Sequence, residues 1–108
     1  MNMEHKVLYL TTTGRKSGLP REIEIWFVQK DGKLYILAEH AHKAHWVQNI
    51  MAKQRVRIRL GEREFAATGR VLDAKRDAAT YQMAQELEQK KYGWGEGLPV
   101  EFTPDEPL

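Results

Sequence analysis

Residues 55–60 read Arg-Val-Arg-Ile-Arg-Leu, and that alternation constrains the fold more than any other stretch. Apolar side chains at every second position suit a β-strand with one buried face and cannot line one face of a helix. Gly61-Glu62 then serves as a two-residue turn into a second strand over 63–72. That register predicts Arg59 opposite Glu64 and Ile58 opposite Phe65, pairing charge with charge and apolar with apolar. A second alternating run covers 21–29, with Ile23, Ile25 and Phe27 on one face and Glu22, Glu24 and Trp26 on the other. Lys30-Asp31-Gly32-Lys33 carries an Asp-Gly hairpin signal, and 34–39 completes that hairpin. Residues 7–12 are mostly apolar and predict a strand buried on both faces.

Two segments leave this period. Residues 43–53 take helical spacing, with Trp46, Val47, Ile50 and Met51 as an apolar stripe. Asp73 is a fair N-cap for a helix over 74–92, with Ala79, Met83 and Leu87 on one side. Gly93, Gly95 and Gly97 end it, and 98–102 can add a sixth strand. The expectation is a mainly β, α+β fold of five to six antiparallel strands and two helices. With 108 residues to close so many strands, a small barrel in one domain over 1–108 follows.

Composition removes whole classes of function. Without cysteine there are no disulfides, thiol nucleophiles or cysteine-ligated metals. A net charge of +2 gives no argument for nucleic acid. No apolar run is long enough to span a bilayer, and Glu4, His5 and Lys6 interrupt any signal-peptide core. A cytoplasmic protein is expected.

The chemistry concentrates in two places. Gly14-Arg15-Lys16-Ser17-Gly18 is richer in cations than a plain turn requires. Its amides with Arg15, Lys16, Ser17 and Arg21 could grip a phosphate or carboxylate, or the loop could be a solvated basic hairpin. It is not a Walker loop, because the spacing is absent. His40, His42 and His45 fall within six residues and raise a metal reading, but no carboxylate stands at a ligand spacing beside them, so no metal is expected. The same stretch also reads as a pocket wall, with Trp46 and Asn49 at i, i+3. Trp26 is out of place on the polar face of its strand and needs a partner: a dimer mate, a ligand ring or a covering helix. Tyr92 and Trp94 form an aromatic-glycine segment that fits a C-cap turn.

The order LTTTGRKSGLPR, DGKLYILAEH, HWVQNI and RVRIRLGEREFAATGRVL resembles the deazaflavin-dependent nitroreductase family over residues 7–72. The resemblance implies a split β-barrel of the flavin-reductase and pyridoxamine-phosphate-oxidase kind and a homodimer. It implies coenzyme F420, with FMN or haem as alternatives. It places the phosphate and acidic tail on Lys16, Ser17, Gly18, Pro20 and Arg21, with Arg15 beside them. It places the ring on Leu37, Ala38, Glu39 and His40, and ring and phosphate contacts on His45, Trp46, Val47, Gln48 and Asn49. Trp26 and Trp46 would line the ring pocket, and His40 or His45 are the catalytic candidates. The implied function is hydride transfer to a small acceptor such as a quinone or nitro compound. A non-catalytic carrier of the same fold is the alternative. The histidine-rich stretch "EHAHKAH" departs from the family pattern, which bears on the acceptor more than on the cofactor.

Overall fold

The computed structural model describes residues 5–108; residues 1–4, the front of the segment read for a signal core, lie outside them. Seven strands form one antiparallel sheet: β1 (Val7–Thr13), β2 (Pro20–Trp26), β3 (Val28–Lys30), β4 (Lys33–Ala38), β5 (Arg55–Leu60), β6 (Arg63–Val71) and β7 (Leu98–Pro104). A helix, α1 (His45–Ala52), stands between β4 and β5, and α2 (Ala78–Tyr92) between β6 and β7. The strand order is β2-β1-β5-β6-β7-β4-β3. The two edge strands are therefore neighbours in sequence, which curls the sheet into a split β-barrel. α1 packs on β1 and β6, whereas α2 packs on β3, β4 and β7.

The hairpin registers follow the alternation. Arg59 faces Glu64 and Ile58 faces Phe65 across the Gly61-Glu62 turn. Lys30 faces Lys33 around Asp31-Gly32, both at positive φ, as a tight two-residue hairpin requires. The ion pairs run diagonally: Glu64 takes Arg57 at 3.1 Å, and Arg59 lies 4.0 Å from Glu22.

Several expectations are corrected. The 21–29 run is two strands, because the Phe27 N–H donates to the Tyr92 hydroxyl and its carbonyl accepts from Lys91 Nζ. Those bonds replace ladder bonds at the crossing between the sheet edges, and they raise the strand count to seven. β1 alternates between buried and half-buried positions; β4 is the strand buried on both faces, wrapped by α2. Met51 is 62% exposed, and the buried positions of α1 are Val47, Asn49 and Ile50. Asp73 does not cap α2. Its carboxylate accepts from the N–H groups of Lys75 and Arg76 in a preceding turn, and the helix starts only at Ala78.

The core holds Leu8, Leu10, Leu34, Ile36, Ile58, Val100 and Phe102, all without exposure. Four polar residues are buried with it: Thr12, Asn49, Glu88 and Glu101. Buried polar groups carry more information than buried apolar ones. Glu101 is a structural tie, accepting from the Tyr35 hydroxyl at 3.0 Å and pairing with Arg70 at 3.3 Å. Burial and the adjacent carboxylate push the Tyr35 phenol up to about 12. The other three lie elsewhere, around one cleft. Among the described residues no helix is long and apolar enough to cross a membrane.

Candidate functional site

β1 ends at Thr13 and the chain turns tightly back into β2. The Gly14 N–H donates to the Leu19 carbonyl and the Gly18 N–H to the Gly14 carbonyl, both at 2.8 Å. Gly18 has φ +72°, and a Cβ on Gly14 would stand 2.6 Å from Ser17 Oγ, so both positions favour glycine. Ser17 Oγ accepts the Leu19 N–H within the loop. Arg15 is tied to α1: its backbone N–H and Nη1 both donate to Asn49 Oδ1, at 3.2 and 2.9 Å. Its Nη2 lies 3.2 Å from His45 Nδ1, which places that ring's proton on Nε2 when the imidazole is neutral. Asn49 Nδ2 in turn donates to Thr12 Oγ1 at 3.1 Å. Arg15 thus commits its backbone N–H and both terminal guanidinium nitrogens to holding the loop on the helix.

The neighbouring cations are unspent. The side chains of Lys16, Arg21 and Lys43 make no hydrogen bond or ion pair among the described residues, and all three border a cavity of about 830 Å³. Uncompensated positive charge gathered on one wall attracts anions. Arg15, Ser17, His45 and Asn49 complete this end.

His40, Ala44 and Trp46 also border a second cavity, of about 630 Å³, so the two are halves of one cleft. This half is aromatic, with Trp26, Trp46 and Trp94 around Leu37. Trp26 has found its partner in Tyr92, the last residue of α2: the rings stack at 4.5 Å, 2° from parallel. Tyr92 is anchored by its hydroxyl, which accepts from the Phe27 N–H and reaches the Lys6 and Phe27 carbonyls. Gly97 gives Trp94 its place, since a Cβ there would stand 2.8 Å from the indole. The ionisable groups of this half are Glu24, Glu39 and Glu88, with His40 at the junction. Burial pushes the Glu88 carboxyl up to about 7, although the Leu37 N–H and Lys91 favour its ionised form.

Of the residues singled out in the sequence, the cationic half gathers Arg15, Lys16, Ser17, Arg21, His45 and Asn49. Trp26, Leu37 and Glu39 stand in the aromatic half, and His40 and Trp46 in both. Gly18 and Pro20 border a smaller hollow beside Lys53 and Arg55. Ala38 and Val47 are core residues, and Gln48 Nε2 donates to the His42 carbonyl, bracing the turn before α1. His42 is exposed, and among the described residues no group of three His, Asp or Glu side chains could hold a metal ion. Sequence reasoning missed Glu24, Lys43 and Glu88, and it read Trp94 only as part of a C-cap turn. For Glu88 a signal existed, since Tyr81, Ala84 and Glu88 share one helical stripe at i, i+3, i+7.

A cleft of this kind fits a molecule with a planar ring at one end and anionic groups at the other. A deazaflavin with a phosphate and acidic tail has that shape and charge. Lys16, Arg21 and Lys43 could hold the anionic part, and Trp46 and Trp26 could flank the ring.

Comparison with solved structures gives the same fold. An F420-H2 dependent reductase superposes with a TM-score of 0.66 at 24% identity, over 94% of this chain and 96% of that one. A candidate pyridoxamine 5′-phosphate oxidase from Listeria innocua gives a TM-score of 0.74 at 14% identity, covering 94% and 86%. HutZ, the haem storage protein of Vibrio cholerae, gives 0.71 at 18% identity, covering 97% and 83%. None of the curated proteins matches the sequence. The family model of the F420H(2)-dependent quinone reductases matches residues 1–100 of the 108. The chain belongs to the F420H(2)-dependent quinone reductase family.

Proposed function

We propose that this protein binds reduced coenzyme F420 in the cleft and passes its hydride to a small quinone. The observation that carries the reading is the cleft's charge split. Lys16, Arg21 and Lys43, unpaired among the described residues, stand at one end and three tryptophans at the other, joined through His40 and Trp46. The cofactor supplies the hydride when bound, and the protein supplies position and field.

Each residue then has a definite task. Lys16 and Arg21 hold phosphate and carboxylate oxygens by charge-assisted hydrogen bonds, worth about 1.5–3 kcal/mol each. Arg15 keeps the loop seated on α1 through Asn49 and orients His45. Trp26 and Trp46 present flat apolar faces to the ring. His40, at the junction and without a side-chain partner among the described residues, is better placed than the Arg15-bound His45 to answer charge developing on the ring. The working protein is a cytoplasmic homodimer in this reading, with the exposed Leu19 and Met51 as apolar surface for a second copy.

The test is to mix the protein anaerobically with reduced F420 and a neutral quinone, and to follow the return of oxidised-cofactor absorbance. Protein-dependent oxidation of the cofactor with equimolar quinone loss is expected. Tight binding of F420 with no transfer to quinones or nitro compounds would make the protein a carrier, and preferential binding of FMN or haem would change the cofactor.

A further inference from the structure

Glu88 lies one turn before the end of α2 with 1% exposure, yet it forms part of the wall of the aromatic half-cavity. β3 is only three residues long and pairs with β4 no further than Tyr35. N–H groups of alternate strand residues point the same way, so Leu37 directs its own toward the missing continuation of β3. Glu88 Oε2 accepts that N–H at 3.1 Å. Among the described residues no fully buried side-chain oxygen lacks a partner, and the second Glu88 oxygen makes no bond to protein, so it faces the cavity. One oxygen is fixed by the backbone and the other is presented to the space beside Trp26, Trp46 and Trp94.

We propose that Glu88 is the acid that delivers the proton accompanying hydride transfer; the inference rests on the quinone-reductase reading above. A quinone becomes a hydroquinone by gaining one hydride and one proton. The hydride comes from the reduced cofactor. The Glu88 O–H bond breaks as the hydroquinone O–H bond forms, leaving a carboxylate that regains its proton from water at the cleft mouth. The Leu37 N–H stabilises that carboxylate without moving.

The surrounding charges allow this role. Lys91 on the same helix favours the ionised form, while Glu24, Glu39 and His40 line the same cavity and Tyr35 with Glu101 lie on the strands behind α2. Burial outweighs Lys91 and keeps the proton on Glu88 up to near-neutral pH, where an acid serves best. Glu24 and Glu39 are exposed, whereas Glu88 is buried.

The test uses Glu88→Gln, which keeps an acceptor for Leu37 but has no proton to give, and Glu88→Asp as a conservative rescue. F420 affinity is measured first on every variant: failure of the wild type to bind F420 or to reduce quinone overturns the underlying reading, not the assignment of Glu88. Given binding and turnover, Glu88→Gln is expected to hold F420 as the wild type does. Its quinone reduction should fall about 100-fold or more and lose the decline the wild type shows as pH rises through neutrality. Glu88→Asp should recover part of the rate. A second readout needs no turnover. Infrared titration of the wild type should show a protonated-carboxyl stretch that is absent in Glu88→Gln and shifts when quinone is added to protein holding oxidised F420. A rate and pH profile unchanged in Glu88→Gln, or a carboxyl band indifferent to quinone, would overturn the proposal.

Discussion

Asn49 is 3% exposed, and its amide serves three groups at once: the Thr12 hydroxyl, the Arg15 backbone N–H and the Arg15 guanidinium. An amide is suited to this, because its oxygen accepts twice while its nitrogen donates. Substituting Asn49→Ala strands a buried hydroxyl and two donors, which costs about 1–3 kcal/mol. For a domain of this size each kcal/mol moves the midpoint of thermal unfolding by roughly 4–8 °C. A circular-dichroism melt should therefore show a loss of several degrees. A midpoint within a degree of the wild type would mean that the loop does not depend on α1. The sequence placed Trp46 and Asn49 on one helix face, but it could not tell that Asn49 would point inward and Met51 outward. That choice belongs to β1 and β6, against which the helix rests.

Among the elements, α2 serves the aromatic half of the cleft twice. Its C-terminal Tyr92 stacks on Trp26 and fixes the chain where β2 gives way to β3. Tyr92→Phe keeps the stack and loses the hydroxyl bonds, so the cost should be about 1–3 kcal/mol, read as a lower denaturant midpoint with unchanged slope. An unchanged midpoint would place the anchoring elsewhere. Glu88, one turn earlier, makes the helix pH-sensitive. Its native value of about 7 lies above the ordinary 4.5, so the folded state holds the proton more tightly than the unfolded one. Its contribution is complete below pH 4.5, declines as pH rises, and is lost by about pH 7; a shift of this size corresponds to about 3 kcal/mol. Urea unfolding between about pH 5 and 8 should show that decline in the wild type and a flatter profile in Glu88→Gln. A wild type that gains stability over this range would contradict the assignment.

The hairpins were legible because period-two alternation and two-residue turns are local, and Arg59 stands opposite Glu64 in the register as the spacing requires, although the ion pairs run diagonally. The start of α2 was not legible. Asp73 spends its carboxylate on the Lys75 and Arg76 N–H groups. The helix begins after Asp77, whose own carboxylate is held by the Asp73 N–H and by Arg70 at 3.0 Å instead of capping it. The break at Phe27 was hidden for the same reason: its partner, Tyr92, lies 65 residues away.

Across the whole molecule the cleft is an axis of polarity, from the cations Lys16, Arg21 and Lys43 at one end to Glu24, Glu39 and the protonated Glu88 at the other. The sequence disclosed the basic end, since Gly14-Arg15-Lys16-Ser17-Gly18 is compact and unusual. The acidic end is assembled from β2, the residue after β4 and the later turns of α2, so no single stretch of sequence shows it whole. The polarity underlies the central claim, that an anionic-tailed deazaflavin is the ligand this cleft is built for. The most direct test is equilibrium titration of F420 and FMN into the wild type and into Lys16→Ala/Arg21→Ala, followed by fluorescence. F420 should bind in preference to FMN, and the double variant should lose about 10-fold or more in F420 affinity for each cation removed while keeping its thermal midpoint. Equal F420 affinity in the wild type and the double variant, or a preference for FMN, would contradict the account.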